Sequence, residues 1–197
     1  MILEKIEYSE KENLIKVTIS SEAFYLSYDY YNSLDIKKGD ELDFNLYKDI
    51  LREDDYNRCK SYALRQISYS NKTSFDLKKK LKKKDFSNNS IDKVIDFLKS
   101  YNLIDDRAYV RAFVLDKSNL NLWSKAKIRY KLKVKFISDE LIDEFLDQIS
   151  DEDEYEKALS LAKRRKNLGH DKDKVFKYLA NRAFSFSIIQ NVLGELF

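Results

Sequence analysis

The sequence predicts a mainly α-helical protein: three tandem three-helix repeats forming an elongated array, preceded by a small antiparallel β segment. Three observations carry this. The 197 residues include no proline and three glycines, so little interrupts helical runs. From Asp54 onward apolar residues recur with helical period, whereas before it they sit in short β-branched and aromatic stretches. An apolar pattern then occurs three times: Leu77, Leu81, Phe86 and Ile91; Ile128, Leu132, Ile137 and Ile142; Val175, Leu179, Phe184 and Ile189. Units that share such a pattern bury their faces by stacking on their neighbours.

The expected divisions are a β segment over 1–50 and repeats over 51–104, 105–150 and 151–197. Ile2 to Tyr8, Leu14 to Ile19 and Phe24 to Tyr28 read as three antiparallel strands, the last two joined by a turn at Ser20-Ser21-Glu22. Gly39, able to take positive φ, closes a short helix or turn within Leu34 to Leu42, and the segment ends near Ile50. Each repeat should then contain three helices. The first holds a small-large pair, at Ala63-Leu64, Ala112-Phe113 or Ala158-Leu159. The middle one carries the first two apolar positions. The third begins at Phe86-Ser87, Ile137-Ser138 or Phe184-Ser185, where serine caps the helix and the preceding apolar residue staples onto the first buried isoleucine. Its stripe follows at i, i+3, i+4, i+7: Ile91, Val94, Ile95, Leu98; Ile142, Phe145, Leu146, Ile149; Ile189, Val192, Leu193, Leu196.

Composition excludes several function classes. Cys59 and His170 are the sole cysteine and histidine, too few for an internal disulfide or a Cys/His zinc site. No glycine-rich loop is present to cradle a phosphate, and no cofactor is expected. No apolar run reaches the roughly 18 residues that cross a bilayer, and Met1-Ile2-Leu3-Glu4-Lys5 begins no signal peptide, so a cytoplasmic protein without membrane contact is expected; a monomer is expected as well. The net charge of +3 hides a division: residues 1–50 hold 6 basic and 11 acidic residues, leaving 31 basic and 23 acidic residues beyond.

The basic residues concentrate on the middle helices. Lys78-Lys79-Lys80-Leu81-Lys82-Lys83-Lys84 is matched in the second repeat by Lys125, Lys127, Arg129, Lys131, Lys133 and Lys135. The third carries Lys163-Arg164-Arg165-Lys166 with Lys172, Lys174, Lys177 and Arg182. A basic surface attracts phosphates or an acidic protein groove; the plainer account is a solvated helix face, since lysines on both sides of Leu81 point around most of the circumference. From charge and repeat position the candidate contacts are Lys78, Lys82, Lys125, Arg129, Lys133, Lys163, Arg164 and Arg165. Asp105-Asp106 could be read as a metal or acid/base pair, but no histidine or further carboxylate is placed beside it, and helix capping at the junction of two repeats is the better account. Trp123 and the interleaved tyrosines are expected to pack between helices.

Tyr101-Asn102-Leu103-Ile104-Asp105-Asp106-Arg107-Ala108-Tyr109 resembles the signature at the join of the first two units of the regulatory protein RecX family. Ala63-Leu64-Arg65-Gln66-Ile67-Ser68-Tyr69-Ser70 is similar to that family's opening helix, and Asp76 to Phe86 to its Leu-x-x-x-Leu helix; Asn102 and Asp85 stand where glycines are usual. The strands followed by Ile36 to Leu42 look like the extension of the longer family members. The resemblance implies a non-enzymatic modulator of homologous recombination and the SOS response that binds the RecA filament on single-stranded DNA, inhibiting its ATPase, strand-exchange and co-protease activities. The competing readings are a helical nucleic-acid-binding protein acting independently of RecA, and a metal-dependent nuclease using Asp105 and Asp106.

Overall fold

The structure, a computed structural model, describes residues 1–10 and 13–197. They form two compact units, Met1–Ile104 and Asp105–Phe197.

In the first unit β1 (Leu3–Ser9), β2 (Leu14–Ile19) and β3 (Glu22–Leu26) make an antiparallel sheet in sequence order. Ser20 and Ser21 both take positive φ, 48° and 71°, the conformation of a tight type I′ hairpin turn. The turn sets the register Val17 opposite Phe24 and Ile15 opposite Leu26, so these four side chains share the buried face. Ser27 caps the short helix α1 (Tyr28–Ser33), which the strand pattern did not signal. Gly39, at φ 96°, turns the chain back so that its N–H reaches the Leu3 carbonyl at 2.7 Å.

The next helix changes the expected organisation. Capped by Asp43, α2 runs unbroken over Phe44–Tyr69, about 39 Å at 1.5 Å per residue, and the division expected near Ile50 falls inside it. Ile50 belongs to the core under the sheet, while Cys59 and Ala63, about two and a half and three and a half turns on, belong to the core of the first repeat. Side chains of α2 also complete the open edge of β3. Asp54 Oδ1 accepts from the Tyr25 N–H at 2.7 Å, and Asn57 Nδ2 donates to the Tyr25 carbonyl at 3.0 Å. A sheet edge leaves such groups unpaired, and here a carboxylate and an amide stand in for a fourth strand. The β segment is therefore built into the first repeat and is not a separate module.

The first repeat continues with α3 (Ser74–Lys82) and α4 (Asn88–Ser100). The second comprises α5 (Asp106–Leu115), a π-helical turn over Asp116–Leu120, α6 (Lys125–Lys133) and α7 (Asp139–Leu146); the third comprises α8 (Asp151–Asn167), α9 (Lys172–Ala180) and α10 (Phe186–Leu196). All three middle helices have nine residues, and Leu81, Leu132 and Leu179 are each fully buried one residue before the helix end. Four residues after each leucine the chain takes positive φ, at Asp85, Phe136 and Ala183 (59°, 55° and 62°), which swings it into the next helix. Ser87, Ser138 and Ser185 then accept from the N–H groups of Ser90, Leu141 and Ile188 as N-caps. In the second repeat two residues of the expected pattern lie off the core. Ala112 is exposed, because Val110 and Val114 supply the buried face of α5, and Ile149 lies beyond the end of α7, half-buried against that core.

Candidate partner-binding surface

The capping residues place the basic side chains first. Asp105 is the N-cap of α5, its carboxylate accepting from Ala108 N–H at 2.9 Å, and Asp106 is the first residue of that helix. Among the described residues no group of three or more His, Cys, Asp or Glu side chains is placed to hold a metal. His170 lies between α8 and α9, beside Asp171, the N-cap of α9.

Most of the eight candidate cations turn out to face carboxylates of their own unit. In the first repeat Lys78 Nζ lies 2.7 Å from Asp92 on α4; that hydrogen bond and charge, with a smaller pull from Lys82, hold the Asp92 carboxyl below its usual range. The second repeat copies the arrangement. Arg129 pairs with Asp143, the counterpart of Asp92, and with Asp139 at 3.8 Å, while Lys133 reaches Asp139 at 2.9 Å. Lys125 meets Asp151 at 2.9 Å and Lys163 approaches Glu195 at 3.7 Å. Lys82 and Arg164 are exposed and form no ion pair among the described residues, and Arg165 lies over the ring of Tyr178, 4.0 Å from its centroid. Such exposed pairs add little stability, but each carboxylate cancels the charge a ligand would see.

Besides such isolated cations, a cluster of them escapes this cancellation at the seam between the second and third repeats. Ser124, the buried N-cap of α6, accepts from Lys127 N–H at 3.1 Å and donates to the Arg182 carbonyl at 2.7 Å, which fixes the start of α6 against the end of α9. Glu154, buried in α8, accepts from Lys125 N–H at 3.1 Å on the same seam, and burial raises its carboxyl above the usual range against the opposing pull of that hydrogen bond and of Lys125 and Lys157. Lys127 is thereby held beside Arg182 and over Trp123, its Nζ 4.5 Å from the ring centroid. Arg182 and Arg165 both lie over Tyr178, at 4.4 and 4.0 Å. Burial, Arg182 and Lys131 together push the Lys127 ammonium below its usual range. Burial opposes ionisation of Tyr178, but the hydrogen bonds and charges of Arg182 and Arg165 outweigh it and lower the phenol. Arg182 Nε is itself enclosed without a hydrogen-bond partner.

Three cations, Lys127, Arg165 and Arg182, thus share two aromatic rings, with no ion pair to a carboxylate among the described residues. Like charges held together raise the energy of the free protein, and an incoming anion relieves it. Of the three, only Arg165 stands in the candidate set drawn from sequence. The others lay in the same basic runs, and the signal that separates them is the acidic partner each neighbour has: a carboxylate 14 residues on in the first two repeats pairs with Lys78 and Arg129. In the third repeat these positions are Phe176 and Gln190, and Phe176 packs edge-on to Phe186 at 6.3 Å.

Comparison with known proteins agrees with this architecture. Residues 59–98 match the family model described as the first three-helix domain of RecX, and residues 105–146 match the second. The regulatory protein RecX of Clostridium acetobutylicum is 34% identical over 205 residues, spanning 98% of this chain and 95% of the relative. That of Clostridioides difficile strain 630 is 31% identical, over 99% and 95%. A crystal structure of regulatory protein RecX superposes with a TM-score of 0.77 at 27% identity, covering 97% of this chain and 98% of that one. RecX from Lactobacillus salivarius gives a TM-score of 0.64 at 27% identity, over 73% and 97%.

Proposed function

Because the chain belongs to the RecX family of regulatory proteins, we propose that it is a non-enzymatic modulator of recombination and the SOS response that binds the RecA filament on single-stranded DNA. Bound there, it lowers the filament's ATPase, strand-exchange and co-protease activities in the cytoplasm. The observation that carries this reading is agreement in sequence and fold with RecX proteins over nearly the full length. Among the described residues no helix is long and apolar enough to cross a membrane.

The charge arrangement supports a distribution of roles among the basic residues. Lys127, Arg165 and Arg182, with Lys82 and Arg164, make the first contact with phosphate or an acidic wall, since no carboxylate among the described residues forms an ion pair with them. Lys78, Lys125, Arg129, Lys133 and Lys163 join only by exchanging a carboxylate for the ligand. The test is the rate of ATP hydrolysis by RecA on single-stranded DNA, with the chain added in substoichiometric amounts. A falling rate is expected. An unchanged rate even at equal concentrations, with tight duplex binding by the chain alone, would replace the proposal with a nucleic-acid-binding protein independent of RecA.

A further inference from the structure

Within the first unit, the outer strand β3, the middle of α2 and the turn between α3 and α4 enclose a recess of about 440 Å³. Six of its side chains define its chemistry: Tyr25 from β3, Arg58, Tyr62 and Arg65 from α2, and Lys84 and Phe86 from the turn. Three cations meet three aromatic rings, and no described carboxylate lines the recess.

The fold holds each contributor in place. Arg58, Tyr62 and Arg65 follow at i, i+4 and i+7 along α2, so they line one face. The backbone of Tyr25 is pinned on both sides by Asp54 and Asn57. Tyr62 and Phe86 form a wall, their centroids 6.1 Å apart and their planes at 51°. Lys84 Nζ stands 5.9 Å from the Tyr62 centroid. Arg58 is loosely tied to Asp54 at 3.6 Å, whereas Arg65 and Lys84 are exposed and form no ion pair among the described residues. The recess is thus positively charged, walled in part by aromatic rings, and of the size that holds a small organic ligand.

We propose that this recess binds a nucleoside phosphate, with Arg65 and Lys84 on the phosphate, Arg58 assisting, and the base against the Tyr62 and Tyr25 rings. Guanidinium and ammonium groups suit phosphate oxygens, and a planar base stacks on an aromatic ring regardless of its identity. The source is either a free nucleotide or one nucleotide of a single strand. Tyr25 gives the β segment a part in binding as well as in folding. The inference needs no RecA and stands apart from the modulator reading.

Calorimetric titration of the full chain, without RecA, tests it, using ATP in one arm and a short oligothymidylate in the other. Binding of at least one probe is expected, weakened at least about tenfold in the double variant Arg65→Gln/Lys84→Gln, the scale of losing charge-assisted hydrogen bonds to phosphate. A control variant, Lys79→Gln/Lys83→Gln, removes two exposed charges from the same run outside the recess and should bind normally. Binding of ATP, with or without the oligonucleotide, identifies a site open to a free nucleotide, and binding of the oligonucleotide alone identifies a strand. Failure of both probes to bind overturns the proposal, as does binding that Arg65→Gln/Lys84→Gln leaves unchanged, which would place the probe elsewhere on the chain, or equal weakening in both variants, which would reduce the effect to diffuse charge. Inhibition of the RecA ATPase is read separately, so failure here leaves the modulator reading intact.

Discussion

Replacing Leu132 by alanine tests the repeat most sharply. Leu132 is fully buried among Ile128, Ile137 and Ile142, at the same helical position as Leu81 and Leu179. The change deletes three carbons, worth about 2.4 kcal/mol of transfer free energy at roughly 0.8 per buried methylene. The cavity left behind adds to this, giving a total of about 3 to 4 kcal/mol within the usual range for a buried leucine. The helix has no reserve to soften the loss: α6 has nine residues, below the roughly 12 to 15 at which an isolated helix becomes even marginal. Urea unfolding followed by helical circular dichroism measures the change, with Leu81→Ala and Leu179→Ala run alongside. All three should lose comparable stability. A loss below about 0.5 kcal/mol at any of them, the range of surface substitutions, would refute the equivalence of the repeats.

Three further outcomes follow from local physics. Asn57→Ala leaves the Tyr25 carbonyl without its donor at the β3 edge and should cost about 1 to 3 kcal/mol, read by urea unfolding, whereas Asp54→Asn keeps an acceptor for Tyr25 N–H and should cost far less. Glu154 carries a carboxyl raised by burial, so the folded state holds its proton more tightly than the unfolded state. Wild-type stability therefore gains from this group as pH falls through the raised folded value toward the ordinary carboxylate range, and Glu154→Gln lacks that gain. Relative to wild type, the Gln variant should be at its best near neutral pH and lose ground toward acid, as measured by unfolding across that window. Ala183→Gly relieves a left-handed alanine at φ 62°, and should raise stability by about 1 kcal/mol, seen as a higher Tm.

The repeats were legible because each uses one local code: a leucine ending the middle helix, a left-handed link, an apolar staple and a serine cap. Each step is fixed by neighbours within about ten residues of sequence, as at Leu81, Asp85, Phe86 and Ser87. The junction of sheet and helix was not legible, because Asp54 and Asn57 read as ordinary polar helix residues until β3 is laid beside them. The same holds for Ala112, whose helix turns its valines inward. Charge was legible in amount and not in availability. A run of lysines says nothing of which ones meet Asp92, Asp139 or Asp143, since those contacts arise only when the third helix folds back on the second. The seam cations Lys127 and Arg182 come together across 55 residues of sequence, through the cap at Ser124.

Binding of the labelled chain to RecA filaments on single-stranded DNA, followed by fluorescence anisotropy at low salt, tests the central claim most directly. The variants are Lys127→Gln/Arg182→Gln at the seam and Lys78→Gln/Arg129→Gln, where the charges are already paired. The account predicts that the seam variant binds at least about tenfold more weakly, a loss of about 1.4 kcal/mol, while the paired variant binds nearly as wild type. Equal binding by the seam variant and wild type, or a larger loss in the paired variant, would contradict it.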